Sequence, residues 1–432
     1  MTPLPTPPRL RAFGALLAVA MLIATACQAA APTPSPSPTA APSSGGTPAA
    51  PTPTASPVDV KALYASIEEQ VRQIRGLEAK NPVDPVVLDG AGIKRVTAEG
   101  FRRDNPEELV DANERLFKGL GLLRADADLG DLYVKMLGES IAGLYSPDDK
   151  QLYVVSRSGN LGPTEKTTFA HEYNHALQDQ NFDLSSLKLD EVGEGDRGIA
   201  RLSLVEGDAT LLMTLWQLQH LGPTDLLQLL GESLNPEIAG SLNDMPPFLG
   251  ESLLFPYTAG LTFVQSLQVA GGWEAVNDAF ADPPASTEQV LHPEKYVARE
   301  APVKVDLPDD LAATMGSGWK LGLEDTLGEF QLRVWLDQAE AAAGGPTADQ
   351  AAAGWGGDRV ALLDGPNGAR AIVLRTAWDT AADADEFAAL AQPVVAKLED
   401  GTVIRDDAAK TVTVLLASDG GALQTLRTAL GT

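Results

Sequence analysis

The sequence predicts an α+β protein, with a mostly helical body that carries one β-hairpin and a smaller α+β unit after it. Three observations predict it. Apolar residues recur at helical spacing early in the chain, as in Val60, Leu63, Tyr64, Ile67, Val71 and Ile74. Two short apolar runs, Ile141 to Tyr145 and Gln151 to Val155, flank the turn residues Ser146-Pro147-Asp148-Asp149-Lys150 and read as a hairpin. Near the C-terminus the order of predicted elements becomes strand, strand, helix, strand, strand, helix, which is the pattern of a small α+β unit.

Composition sets the outer limits. A chain of 432 residues exceeds one ordinary domain and suits two or three. With 44% hydrophobic and 21% charged residues it can build a packed core. Lys plus Arg total 32 against 59 Asp plus Glu, a net charge of −27. Such a surface repels phosphate, which excludes nucleic acid as the main partner. The single cysteine excludes an intramolecular disulfide and any Cys-rich metal site.

The elements follow in order. Arg9 and Arg11 precede an apolar run from Ala12 to Ala26, too short to span a bilayer comfortably but suited to a signal-peptide core. Ile23-Ala24-Thr25-Ala26-Cys27 resembles the bacterial lipoprotein signal, which implies that residues 1–26 are removed and Cys27 is lipidated. An ordinary secretory leader with an incidental cysteine is the alternative. Residues 27–57 are almost wholly Ala, Pro, Thr, Ser and Gly after Gln28, so they predict a disordered, semi-rigid spacer. The folded body is expected over 58–300, with helices at 59–79, 106–119, 128–140, 164–180, about 198–221 and 257–270. The accessory unit, 301–432, is expected to hold a helix from Leu323 to Ala343 and a hairpin of Arg359–Leu363 with Arg370–Ala377. A helix from Asp383 to Leu398, strands at 401–406 and 410–417, and a last helix complete it. Trp355 and Trp378 are expected in its core.

The chemistry lies in the helix at 164–180. It contains His171-Glu172-Tyr173-Asn174-His175, the His-Glu-x-x-His pattern. Residues four apart on a helix are separated by only about 40° around its axis, so both imidazoles can reach one metal ion. Glu172 sits about 100° from His171, beside the pair, where it can take a proton from a metal-bound water. Phe169, Ala170, Tyr173, Ala176 and Leu177 fall on the opposite side and are expected to be buried.

A two-histidine site needs a third protein ligand and an open position. Glu206 is the candidate. On a helical wheel it falls at about 40°, on the margin of the apolar arc formed by Leu202, Val205, Ala209, Leu212, Met213 and Trp216. Asp208 falls at about 240°, outside that arc. A salt bridge from Glu206 to Arg201 or Arg197 is the alternative. Asp179, four residues after His175, is either a hydrogen-bond partner of a ligand imidazole or a solvated acid. His292, Tyr257 and Tyr296 are the candidates to stabilise an oxyanion, each with a packing or capping role as the alternative. His220 is expected to meet the dipole at a helix C-terminus.

These residues resemble the zincins whose third ligand is a glutamate on a second helix, the thermolysin-like or gluzincin class. More closely, the chain resembles a group of largely uncharacterised bacterial lipoproteins with a zincin-like domain. The similar pieces are Gly143-Leu144-Tyr145, His171 to Gln178, Val205-Glu206-Gly207-Asp208-Ala209, Ser286-Thr287-Glu288-Gln289 with Leu291-His292-Pro293, and Gly354-Trp355-Gly356-Gly357-Asp358. The resemblance implies a Zn²⁺-dependent hydrolase, with a peptide or protein as its substrate. Its body would be a zincin-like metallopeptidase domain, lipid-anchored to the bacterial membrane outside the cytoplasm. Metal ligands would be His171, His175 and Glu206, with Glu172 as the general base. The rival is a non-catalytic zinc-binding surface lipoprotein that acts in binding or assembly.

Overall fold

The computed structural model describes the backbone of 16–19 and residues 59–155, 161–233, 245–339, 345–398, 400–406 and 408–432. Cys27 and the linker 27–57 lie outside the described residues. Helix dominates, at 60% against 15% strand, and the described chain is mixed α and β with a five-stranded sheet.

The first half builds the helical body. Strand β1 (Leu16–Val19) is followed by α1 (Val60–Arg75), β2 (Val86–Leu88), α2 (Gly90–Asp104), α3 (Glu107–Gly119) and α4 (Leu129–Ser140). Asp59 caps α1 by accepting from the Lys61 and Ala62 amides, and Gly76 ends it at φ +73°. The hairpin β3 (Ile141–Ser146) and β4 (Gln151–Val155) follows as the alternation predicts. Order in this sheet is β1-β3-β4-β2, with β2 parallel to β4 and β1 antiparallel to β3. Next come α5 (Pro163–Phe182), α6 (Gly195–His220), α7 (Pro223–Ser233) and α8 (Pro247–Ala281). Helix α8 begins ten residues before the expected 257 and breaks at Gly271 and Gly272. Helix α2 and strand β2 are not among the elements expected from the sequence, although α2 carries a helical period in Ile93, Val96, Thr97 and Phe101.

Short helices α9 (Thr287–Leu291), α10 (Pro293–Val297) and α11 (Leu311–Met315) lead into the C-terminal part. It comprises β5 (Lys320–Asp325), α12 (Gly328–Leu336), α13 (Ala348–Ala352), β6 (Trp355–Asp364), β7 (Arg370–Trp378), α14 (Ala381–Val395), β8 (Asp400–Asp406), β9 (Thr411–Ala417) and α15 (Gly420–Leu430). The strands form one antiparallel sheet in the order β5-β6-β7-β9-β8. The expected helix from Leu323 to Ala343 is corrected here. Its first residues are strand β5, pairing Leu323 with Leu362 and Asp325 with Val360, and helix begins only at Gly328. Helical periodicity over this stretch gave way to the long-range pairing with β6.

The sheet buries both faces. Val360, Leu362, Ile372 and Leu374 point to the main core, and Ala361, Leu363, Ala371 and Val373 point to a second core under α11 and α15. Trp355 and Trp378 are buried, as expected. The main core runs from Ala112 and Leu116 through Leu204 and Phe263 to Val414 and Leu416. Apolar packing is therefore continuous across residue 300.

Polar bonds reinforce that junction at the start of α6. Buried Asp196 accepts from the Thr287 amide and hydroxyl, and the Thr287 hydroxyl accepts from the Phe330 amide. Asp325 accepts from the Gly195 amide. Asp358 accepts from the Leu327 and Gly328 amides and from Trp355 Nε1. Lys295 reaches Glu288, Glu300 and Asp379 at 2.6–2.9 Å. The stretches around 286–289 and 354–358 are thus bound into scaffold.

Helices α6 and α8 meet through glycine. A Cβ on Gly207 would overlap the Gly260 carbonyl, and one on Gly260 would overlap the Ser203 carbonyl. Gly207→Ala should force the helices apart and lower unfolding stability by about 1–3 kcal/mol. A urea midpoint unchanged from wild type would contradict this contact.

Candidate metal centre

Helix α5 is the central element of the site. Pro163 starts it, and the Glu165 carboxylate accepts from the Gly162 amide at its N-terminus. Its apolar side packs as expected, with Phe169, Ala170, Tyr173, Ala176 and Leu177 all buried. The polar side is buried too: His171, Glu172, Asn174, His175, Gln178 and Asp179 are each at most 5% exposed. Helix α6 lies across it, and its stretch from Ser203 to Met213 is likewise buried.

This crossing brings three ligand atoms together. His171 Nε2 lies 3.0 Å from His175 Nε2 and 3.3 Å from Glu206 Oε2. His175 Nε2 lies 3.4 Å from the same oxygen. Zinc bonds of about 2.0–2.1 Å in tetrahedral geometry place neighbouring ligand atoms about 3.3–3.4 Å apart. The triangle therefore matches one face of a zinc tetrahedron, and the donor set of two imidazoles and a carboxylate suits that ion. The alternative salt bridge is not formed: Arg197 pairs with Glu191 and Glu194, and Arg201 donates to the Leu187 carbonyl.

Electrostatics agree with a cation at this point. Burial alone would neutralise Glu206, but His175 and His171 hold it below the usual carboxylate range. Burial also draws His175 down, and Glu206 and Glu172 outweigh it to carry the imidazole up to about 9. His171 is lowered, chiefly by burial. Glu172 is pushed up to about 8 by burial, and neither of its oxygens meets a hydrogen-bond donor at bonding geometry. Strand β3 closes over it: a Cβ on Gly143 would come 3.0 Å from Glu172 Cγ and 3.2 Å from the Tyr153 carbonyl. Only glycine lets the strand lie so near.

Other candidates fall in different places. Tyr257 of α8 is buried against His171, ring centroids 6.3 Å apart. Asp179 does not contact an imidazole, which corrects that alternative. Its carboxylate accepts from Tyr145 OH and Lys150 Nζ, both at 2.7 Å, and so ties α5 to the β3–β4 hairpin. His292 Nε2 lies 3.0 Å from Glu329, and the residue is not part of the His–His–Glu group. Thr287 anchors its neighbourhood at Asp196, which precedes Glu206 by about 15 Å of helix. Tyr296 donates to the Asp282 carbonyl and packs edge-on against Phe263. His220 ends α6 beside Trp216.

Three residues escaped the sequence reading. His175 Nδ1 meets Gln178 Oε1 at 2.8 Å. Gln178 Nε2 donates to the Val205 carbonyl at 2.9 Å and to Asp208 at 2.8 Å. Asp208, expected outside the apolar arc, is fully buried and accepts from Arg75 Nε at 2.8 Å. The position of Gln178, three residues after His175 on the same helix face, was the available signal. Nothing in the sequence pairs Arg75 with Asp208.

Comparison with known families gives a match to a domain of unknown function (DUF8575) over residues 320–427. That span runs from β5 into α15, about a quarter of the chain, and lies outside the His–His–Glu group. No curated protein and no solved structure matches the chain.

Glu206→Ala should weaken zinc binding far more than Asp196→Ala, because only Glu206 touches both imidazoles. Chelator-competition titrations of the two purified variants read this directly, and wild-type affinity for Glu206→Ala would remove it from the site.

Proposed function

We propose that this chain is a zinc-dependent hydrolase of the gluzincin type, most simply a peptidase acting outside the cytoplasm while lipid-anchored through Cys27. One observation carries the proposal: a buried His–His–Glu triangle of zinc dimensions with the buried carboxylate of Glu172 beside it. His171, His175 and Glu206 would hold the ion. Bound zinc supplies a Lewis acid for the scissile carbonyl and brings the pKa of a water toward about 7. Glu172 would take the proton of the attacking water and pass it to the leaving amine. Its raised proton affinity suits both steps. Tyr257, whose ring lies 6.3 Å from that of His171, is our candidate to stabilise a developing oxyanion.

The complete burial of Glu172 favours a second reading, a non-catalytic zinc-binding surface lipoprotein, since a substrate needs a path to the ion. Processing ahead of Cys27 bears on this choice. It would remove β1 with the leader and uncover the β3 edge where Ala18 pairs with Gly143, next to Glu172.

Glu172→Gln should keep stoichiometric zinc and wild-type stability while lowering peptide hydrolysis by several orders of magnitude. Hydrolysis retained in that variant would sink the mechanism. A processed wild type inert against an unbiased peptide library would support the binding reading. Separately, Cys27→Ser should move the protein from the membrane fraction to the soluble one, because the spacer has no apolar face of its own. Membrane association that persists in that variant would refute the lipid anchor.

A further inference from the structure

Metal ligands need orientation as well as proximity. An imidazole can bind through either nitrogen, and a carboxamide can present either its oxygen or its NH2. The structure resolves both choices through one chain of bonds. We infer that Arg75, Asp208 and Gln178 are positioning residues that fix the direction of hydrogen-bond donation into His175 and so hold its Nε2 toward the metal position.

The argument starts at Arg75 on α1, the first helix after the linker. Its guanidinium is fully buried, lies over the Trp273 ring at 4.6 Å, and donates Nε to Asp208 Oδ1. Arginine carries only donors, so Asp208 must accept on that side. Asp208 also accepts on its other oxygen, which faces Gln178 Nε2 at 2.8 Å. The Val205 carbonyl accepts from the same nitrogen. Two acceptors around one end of the carboxamide set its orientation, because the flipped amide would oppose oxygen to oxygen twice. Gln178 Oε1 is thereby turned to His175 Nδ1, which must carry a proton to bond it. In the neutral imidazole that binds a metal, the lone pair is then on Nε2, the atom in the ligand triangle.

This chain has a chemical direction that packing alone does not require. Asp208→Asn preserves shape but adds an NH2 group. Either rotamer then opposes two donors, at Arg75 Nε or at Gln178 Nε2. The inference deepens the zinc reading and rests on it for its effect on metal.

The test uses the full chain labelled with 15N-histidine, with zinc and cobalt(II) as probes. Wild type should show a slowly exchanging His175 Nδ1–H proton with or without metal. Asp208→Asn and Gln178→Leu should each lose that proton's protection and bind zinc about 10–100-fold more weakly, with an altered cobalt visible spectrum. Asp196→Asn, the same change elsewhere on α6, should leave the proton and the spectrum as in wild type. Gln178→Glu combined with Asp208→Asn reverses the donor and acceptor between the two side chains and should recover part of the lost zinc affinity. Wild-type protection and an unchanged spectrum in Asp208→Asn would overturn the inference. Should wild type bind neither metal while Asp208→Asn still loses the proton, the chain of donation stands and the hydrolase reading falls. If Asp208→Asn fails to fold, the decision rests on Gln178→Leu, where an unchanged proton and spectrum would equally overturn the inference.

Discussion

The crossing of α5 and α6 places His171, Glu172, His175, Glu206 and Asp208 where water hardly reaches. Isolated charges in such a place are costly, and each must find a partner. Asp208 finds Arg75 and Gln178; Glu206 finds two imidazoles. Removing one side of a buried ion pair costs about 3–5 kcal/mol, so the Arg75–Asp208 bond is a condition of the fold as well as of the site. The rest of the helical body is arranged to permit this crossing. Gly207 and Gly260 let α8 close on α6, and Gly143 lets β3 close on α5.

The C-terminal part steadies the same helix from its other end. Asp325 and Thr326 receive the first turn of α6, and Asp196 binds Thr287. Asp358, held by two backbone amides and the Trp355 indole, shapes the turn that makes this contact. Glu206 therefore sits on a helix fixed at its start by the sheet-bearing region and at its middle by α1 and α5. The family match covers that sheet and says nothing about the ligand triangle.

Most of the site was legible because its signal is local. His171, Glu172 and His175 lie within one helical turn and a fraction, and their relative directions follow from helix geometry alone. Glu206 could be singled out because a carboxylate at the margin of an apolar arc asks for a partner. Asp179 and His292 could not be placed the same way. Each is a polar residue near the motif in sequence or in apparent wording, and its partner is set by which element arrives opposite it: the β3–β4 hairpin for Asp179, α12 for His292. Residues 320–325 show the same limit, since β6 decides that they are strand.

By itself the sequence determined the helix periods, the hairpins, the His-Glu-x-x-His face and the glutamate offered to it, all of which depend on neighbours a few residues apart. Tertiary structure alone decided that the polar side of α5 is as buried as its apolar side, that Asp208 is a buried acceptor, and that Arg75 from the first helix binds it. The first depends on residues such as His171 and Glu206, 35 positions apart, and the last on Arg75 and Asp208, 133 positions apart. The physical reason is that periodicity reports which face of a helix is apolar. It does not report what packs against the other face, and here a second helix carrying its own carboxylates does so.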